Sequence, residues 1–346
     1  VTPVGGDKVD IAQIAVEAEV SVATVSRVLN GRTGVSEHVR ARVEEAMQEL
    51  GYVRRVRATE SAPLIELVFP YFEDVWAVEI MRGVQRVARE HGMSVILTQS
   101  GNRQEPDPDW IDGVMKRGVS CVVLVFADVS EDGRNRLRAR NVPFVILNPA
   151  VEAPADVPSV GSSAWSGGVL ATKHLIDLGH RRIGLITGPD DLLTSRARVS
   201  GYRSAMEEAG LPVDESLIRP GSFYGADGER EGRWLLSLPD RPTAIFAGSD
   251  PQALGVYEAA RALGLRIPRE LSVVGFDDLE VAKLAGPPLT TVRQPLAEMA
   301  ETAARIGLRL RSERSRKHLQ PHLELETTLI VRGSTATPRD NARPLQ

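Results

Sequence analysis

The sequence predicts a small all-α headpiece at the N-terminus, followed by an α/β core of two parallel-sheet lobes. Three observations point there. The first fifty residues hold three short segments with apolar residues at helical spacing. From Leu64 onward, short apolar runs alternate with amphipathic stretches, the pattern of βαβ units and parallel sheets. Seven such runs are too many for one small sheet, and 346 residues with 42% apolar and 25% charged content suffice to close two lobes around separate cores.

Helix one is read from Ile11, Ile14, Ala15 and Ala18, all expected to face inward, with Asp10 as its N-cap. A tight "AEV" turn leads into "SVATVSRVLNG". There Ser21 caps a second helix, Val25, Val28 and Leu29 face inward, and Asn30-Gly31 ends it. After the loop "GRTGV", Ser36 caps a third helix with the stripe Val39, Val43, Ala46, Met47 and Leu50. The charged linker "RRVRATESAP" stops at Pro63. In the core, strands are read at "LIELVF", "SVILT", "CVVLVF", "PFVIL", "RIGLIT", "TAIFA" and "LSVVGF". A ligand belongs in the crevice beyond the carboxyl ends of such strands.

Composition narrows the function classes. A net charge of -4 excludes a general polycation, so a nucleic-acid partner must meet a local patch. No stretch reaches the roughly 18 apolar residues of a spanning helix. The first residues lack an apolar run behind a positive start, and a cytoplasmic location is expected. The single Cys121, inside an apolar run, agrees with a reducing compartment and reads as a small buried hydrophobe. His174 and His180 have no Cys, Asp or Glu partner at metal-ligand spacing, and His180 reads as a helix-end residue. "GGDK" and "SGGVL" lack nucleotide-binding spacing, and no Ser-His-Asp order is apparent. No cofactor, metal or catalytic residue is expected.

Two helices across a tight turn suggest a helix-turn-helix, whose second helix enters the DNA major groove. Its outward residues are Val22, Ala23, Ser26, Arg27 and Asn30. Arg27 can donate a bidentate pair to guanine, Val22 and Ala23 can touch thymine methyls, and Ser26 can go to either. Ser21 and Thr24, at the helix start, can bond phosphates. Between Arg27 and Arg57, seven arginines stand against four glutamates, a local positive excess that suits phosphate contact. On periodicity alone, an amphipathic helix in a protein-binding module fits equally well.

The wording "VSVATVSRVLNGRTGVSEHVRARVEEAMQELGY" resembles the headpiece of the lactose and galactose repressor family of bacterial transcriptional regulators. "LGHRRIGLITGP", "RVSGYRSAMEEAG", "PTAIFAGSD", "ELSVVGFDDLEVAKLAGPPLTTVRQP" and "TTLIVRGST" resemble that family's core in order and spacing. The resemblance implies a core like a periplasmic sugar-binding protein, with chain crossings near Ser162, Thr291 and Glu324. Expected domains are a headpiece over 8–57, a hinge over 58–63, an N-lobe over 64–161 plus 293–323, a C-lobe over 162–290 plus 324–335, and a tail over 336–346. Three departures stand out. Glu19 replaces the usual turn glycine, so a strained or reshaped turn is expected. Ser249 stands where asparagine is common. In the hinge, Ser61 takes the place of a leucine that wedges into DNA, and Arg54 and Arg55 replace Pro-Asn; these arginines are expected to track phosphates or a narrow minor groove.

The resemblance also implies an effector site. Asp277 and Asp278 directly follow "LSVVGF"; the Asp277 carboxylate can accept two hydrogen bonds from neighbouring sugar hydroxyls, and Asp278 is read as the cap of the next helix. Arg198 matches the family's effector-binding arginine, and Phe223 and Trp76 match aromatic pocket positions. Asn148, Ser249 and Gln294 match further polar positions, with Trp165 as another wall. The expected function is a sequence-specific DNA-binding transcriptional regulator, read as a repressor. Its partners are double-stranded operator DNA, a second copy of the chain in a homodimer, and a small neutral carbohydrate bound between the core lobes. A solute-binding protein without DNA function is the alternative, and it leaves the headpiece unexplained. An enzyme using Asp277 as a base lacks an activated partner, because a carboxylate beside Arg198 is held ionised and weakly basic.

Overall fold

Asp10 opens the described chain with a reciprocal cap. Its Oδ1 accepts the Gln13 N–H at 2.9 Å while Gln13 Oε1 accepts the Asp10 N–H at 2.8 Å, an arrangement that stabilises a helix start by about 1 kcal/mol. The computed structural model describes residues 10–29, 35–50, 52, 64–71, 75–101, 108–126, 129–312 and 322–338. Three helices form the headpiece: α1 (Ile11–Glu17), α2 (Val22–Leu29) and α3 (Glu37–Glu49). Ile14, Ala15, Ala18, Val25, Val28, Leu29, Val43 and Ala46 make its core, with Val39, Met47 and Leu50 half-buried around it. Ile11 departs from the expected inward stripe and is 36% exposed, because it stands in the first turn, ahead of the first buried residue, Ile14.

The turn between α1 and α2 is strained as expected. Glu19 has φ 47°, a left-handed conformation that costs a residue with a side chain about 1–2 kcal/mol. Arg42 of α3 holds the turn from outside: its Nη2 donates to the Ala18 carbonyl at 2.6 Å and lies 3.3 Å from Glu19 Oε2. The Glu19 side chain is 84% exposed, so this pair contributes at most about 1 kcal/mol. Glu19→Gly is therefore expected to raise protection of the Ile14, Val25 and Val43 amides in native-state hydrogen exchange. Lower protection would mean that the Arg42 pair outweighs the backbone strain.

The chain beyond the headpiece alternates strand and helix: β1 (Leu64–Phe69), α4 (Ala77–Glu90), β2 (Ser94–Gln99), α5 (Pro108–Arg117), β3 (Cys121–Val125), α6 (Glu131–Ala139), β4 (Phe144–Leu147) and β5 (Ser159–Ser162). It continues with α7 (Ala164–Asp177), β6 (Ile183–Ile186), α8 (Leu193–Glu208), β7 (Ile218–Arg219), α9 (Gly225–Leu236), β8 (Ala244–Ala247), α10 (Asp250–Ala262), β9 (Ser272–Asp277), α11 (Glu280–Leu284), β10 (Thr290–Arg293), α12 (Leu296–Ser312), β11 (His322–Leu325) and β12 (Thr328–Ile330). The strands form two six-stranded sheets, ordered β11-β5-β4-β3-β1-β2 and β12-β10-β9-β8-β6-β7. Only β12 is antiparallel to its neighbour among the described pairings. Each of the seven apolar runs read from the sequence contains a strand. The strands it did not show, β5, β7, β10, β11 and β12, are only two to four residues long and mix polar with apolar residues, as in "SVGS", "TTVR" and "HLEL". Among the described residues no helix is long and apolar enough to cross a membrane.

The chain divides into two compact units, Val1–Tyr71 with Val87–Val145 and Ala304–His318, and Phe72–Arg86 with Ile146–Ala303 and Leu319–Gln346. In the first, β1 pairs in parallel with β2 and β3, and β3 is buried along its whole length. Burial pushes the Cys121 thiol up to about 12, which makes it an inert hydrophobe. Glu66 on β1 is fully buried and accepts from Thr98 Oγ1 at 2.6 Å and Arg117 Nε at 3.1 Å. In the second unit, apolar cores cover both faces of the sheet, one around Val256 and Val273, the other around Tyr202, Phe246 and Phe276.

The C-terminal segment is pinned onto this second sheet. Ser334 Oγ donates to the Val273 carbonyl and accepts the Thr290 N–H. His180 lies just beyond α7, but it is buried: Nδ1 is 2.8 Å from Thr243 Oγ1, and Nε2 is 3.0 Å from the Ala336 carbonyl and from Ser272 Oγ. His174 Nε2 meets Thr335 Oγ1 at 2.9 Å. Burial holds both histidines below their ordinary pKa, against the pull of Asp177 on His174 and of the Ala336 carbonyl on His180. The unfolded chain then takes up protons first. Stability is complete above about pH 6.5 and falls as pH drops through that value toward the folded-state pKa values. Urea unfolding at pH 7.5, 6.5 and 5.5 should show this fall, and His174→Gln should flatten it; stability that rises into acid contradicts the assignment.

Candidate functional site

Two surfaces follow from this fold. On α2 the helical period separates an inner stripe from an outer one: Val25, Val28 and Leu29 are buried, whereas Ser21, Val22, Ala23 and Arg27 are exposed and Thr24 and Ser26 half-buried. Ser21 Oγ accepts the Thr24 N–H at 3.1 Å and lies 2.8 Å from Thr24 Oγ1, so the expected cap is present. Arg27 stands in the last turn of α2, on the same side as the exposed Ala23 about one turn earlier. A guanidinium, two small apolar side chains and hydroxyls at a helix N-terminus are the groups that read base edges and phosphates. Asn30, Arg54, Arg55 and the hinge positions fall outside the described residues.

The second surface lies at the carboxyl ends of strands in the second unit. Arg198 on α8 is 5% exposed. Its guanidinium carbon stands 3.7 Å from the Phe276 ring centroid and 4.9 Å from that of Phe223, and Nη1 donates to the Gly248 carbonyl. Nη2 lies 3.8 Å from Asp277 Oδ1. Burial lowers the Arg198 pKa to about 10, with Asp277 and then Asp250 pulling it back, so the side chain remains a cation at neutral pH. Asp250 is buried as well. Its pKa is pushed well above the ordinary value by burial and then by Asp277, while Thr291 Oγ1 and the Leu279 N–H donate to its two oxygens at 2.5 and 2.7 Å.

Backbone strain gathers here. Phe223 has φ 74°, Asn148 53°, Asp277 114° and Asp278 59°. In a strand, Phe276 and Asp277 would point to opposite faces. The φ of Asp277 breaks that alternation, and both side chains reach Arg198. Gly188 is required by the same packing, since a Cβ there would collide with the Phe223 ring and Ser195 Oγ.

The structure joins Arg198, Phe223, Asp277 and Gln294 into one cluster: Gln294 Nε2 donates to Asp277 Oδ1 at 2.6 Å. Ser249 adjoins it as the N-cap of α10, its Oγ donating to the Phe223 carbonyl at 2.7 Å and accepting the Gln252 N–H at 3.2 Å. Asn148 is buried at the end of β4, and its Oδ1 has no hydrogen-bond partner among the described residues. Trp76 is half-buried just before α4, and Trp165 is 47% exposed on α7. Asp278 does not cap α11 as expected. Both its oxygens are held in ion pairs, by Arg293 at 2.8 Å and by Arg332, and the Leu279 N–H goes to Asp250 instead. A charged cleft of about 270 Å³ opens beside Asp277, walled by Glu79, Arg82, Lys283 and Arg293. Sequence reasoning missed Phe276, Asp250, Ser162 and Ser195. The buried hydroxyls of Ser195 and of its neighbour Thr194, like Arg198 Nε, have no partner among the described residues. The position of Phe276 beside Asp277 could have signalled the first, and Ser162 was marked only as an expected chain crossing.

A headpiece that presents a reading helix, followed by a two-sheet core with a polar-aromatic cluster at its strand ends, defines a class: a DNA-binding regulator with a ligand-responsive core. Residues 10–55 match the family "Bacterial regulatory proteins, lacI family", and residues 172–335 match "Periplasmic binding protein-like domain". The chain is 32% identical to the HTH-type transcriptional repressor CytR of Escherichia coli (strain K12), over 93% of this chain and 95% of that protein. Among solved structures, a transcriptional regulator CelR–cellobiose complex is 32% identical with TM-score 0.71, covering 94% of this chain and 99% of the other. The lac repressor dimer bound to operator and the anti-inducer ONPF is 27% identical with TM-score 0.69, covering 95% and 100%. The protein belongs to the LacI family of bacterial regulatory proteins.

The exposure of Arg27 leads to a direct expectation. Arg27→Ala should weaken binding to a duplex recovered by in vitro selection and relax preference at one base pair, with about 1–3 kcal/mol of discrimination lost. Equal loss on selected and random DNA would assign the side chain to phosphate.

Proposed function

We propose that this protein is a homodimeric transcriptional repressor whose operator affinity is set by a small neutral carbohydrate bound at the Arg198 cluster. The observation that carries the ligand reading is the buried Arg198 between Phe276 and Phe223, with Asp277 beside it. One cation and one carboxylate leave the cluster near neutrality, aromatic faces suit a sugar ring, and the fork of donors beside an acceptor suits adjacent hydroxyls. Cellobiose in the CelR complex supports the same class of ligand. Within the set, Arg198, Phe223, Asp277, Asn148 and Trp76 are assigned to the ligand. Ser249, whose hydroxyl is engaged on both sides, is assigned to holding Phe223. The domain bounds read from the sequence are kept as part of this proposal, with the core binding its ligand rather than transforming it. The site of action is the cytoplasm, where operators lie.

In the dimer, two α2 helices enter successive major grooves roughly 34–36 Å apart, or a multiple of that, while Arg54 and Arg55 contact phosphates or the minor groove between them. The ligand acts through unequal affinity for two poses of the core. A thermal-shift panel of D-ribose, D-glucose, D-galactose and cellobiose against adenine and guanine tests the class. A binder at a hundred times its Kd adds about 2.7 kcal/mol of stability. At least one sugar should shift the melting temperature and neither purine should; Asp277→Ala should abolish the shift and leave operator binding intact. A purine response with silent sugars would end this reading.

A further inference from the structure

The chain passes from one sheet to the other after Ser162, after Arg293 and after Leu325. These three crossings are bonded to one another. The Ser163 N–H donates to the Leu325 carbonyl at 2.9 Å, and Thr327 Oγ1 donates to the Ser163 carbonyl at 3.2 Å. Ser162 Oγ donates to Gln294 Oε1 at 2.6 Å, and Gln294 Nε2 donates to Asp277 Oδ1 at 2.6 Å. That Asp277 oxygen is also the one 3.8 Å from Arg198. Ser162, Gln294 and Asp277 are 5%, 6% and 7% exposed, so water competes little for these bonds and they polarise one another.

The chemistry of an amide gives this chain of bonds a direction. Oε1 can only accept and Nε2 can only donate, so Gln294 alone converts an acceptor at Asp277 into an acceptor facing the Ser162 hydroxyl. We propose that Gln294 is a positioning residue without direct ligand contact, a strut that carries the state of Asp277 to the crossings. A ligand hydroxyl that bonds Asp277 Oδ1 competes with Nε2 for that oxygen. When Gln294 turns away, the Ser162 hydroxyl loses its acceptor next to Ser163, the residue through which the first and third crossings are tied. The proposal rests on the ligand site assigned above and adds the route by which that site reaches the rest of the chain.

The test needs no ligand. Operator affinity of the full chain is measured by fluorescence anisotropy on a duplex recovered by in vitro selection, alongside a random duplex and a melting curve for each variant. Gln294→Met keeps the volume and removes both bonds; Ser162→Ala removes one. Each should change operator affinity by about fivefold or more, the low end of allosteric coupling, with affinity for random DNA unchanged. The double variant should go no further than Gln294→Met alone, because both substitutions break one strut, and Ser162→Thr, which keeps the hydroxyl, should match the unsubstituted protein. Operator affinity within about twofold of the original in both single variants, effects that add in the double variant, Ser162→Thr behaving as Ser162→Ala, or early melting with equal loss on both duplexes would each overturn it. Silence of every sugar in the thermal-shift panel would remove the carbohydrate reading and leave this ligand-free measurement decisive for the strut.

Discussion

A guanidinium taken out of water has to be surrounded or discharged. Arg198 is 5% exposed, and removing such a charge from water costs several kcal/mol even after the protein relaxes. Four groups offset that cost: the Gly248 carbonyl, the faces of Phe276 and Phe223, and the Asp277 carboxylate. Much of the second unit's unusual geometry serves this enclosure. Phe223 sits at positive φ with its carbonyl held by Ser249, a side chain at Gly188 would displace its ring, and Asp277 leaves the strand conformation to face the same cation as Phe276. Strain of this kind persists only where its surroundings over-determine it, and it concentrates at ligand sites.

The headpiece obeys a simpler constraint. Its core is built from alanines, valines, one leucine and one isoleucine, so the stability of each helix end matters. Asp10, Ser21 and Ser36 accept from the backbone at the starts of their helices, and Arg42 braces the one turn that lacks its preferred glycine. Val25, Val28 and Leu29 of α2 are used for packing, which leaves Val22, Ala23 and Arg27 exposed on its outer face.

The two halves differ in how their behaviour is controlled. The candidate reading face is made of exposed side chains of a small helical body, whereas the proposed effector cluster is made of buried groups bonded to one another. A cluster in which one carboxylate faces a cation, an amide and a prospective ligand hydroxyl is suited to regulation, because the competitors cannot all be satisfied at once. The Asp278 pairs with Arg293 and Arg332 hold the adjoining segments while Asp277 is engaged.

Periodicity and capping residues were enough to locate α1 to α3, and seven apolar runs were enough to locate the buried strands, because burial on one stripe or on both faces is written directly into residue order. The same logic failed at Ile11, in a first turn ahead of the packing surface, and at β5, β7, β10, β11 and β12, whose two to four residues are too few to establish a period. The wording of the chain also singled out Arg198, Phe223 and Asp277, and the missing glycine at Glu19 pointed to the left-handed turn. What the tertiary structure alone decided is which partner each polar group meets. Asp278 took two arginines instead of a helix cap, Asp250 accepted the Leu279 N–H, Ser249 turned to the Phe223 carbonyl, and Gln294 joined Ser162 to Asp277 across 132 and 17 positions of sequence. Hydrogen bonds and ion pairs form over about 3 Å between residues brought together by distant parts of the chain, and no local pattern records that meeting.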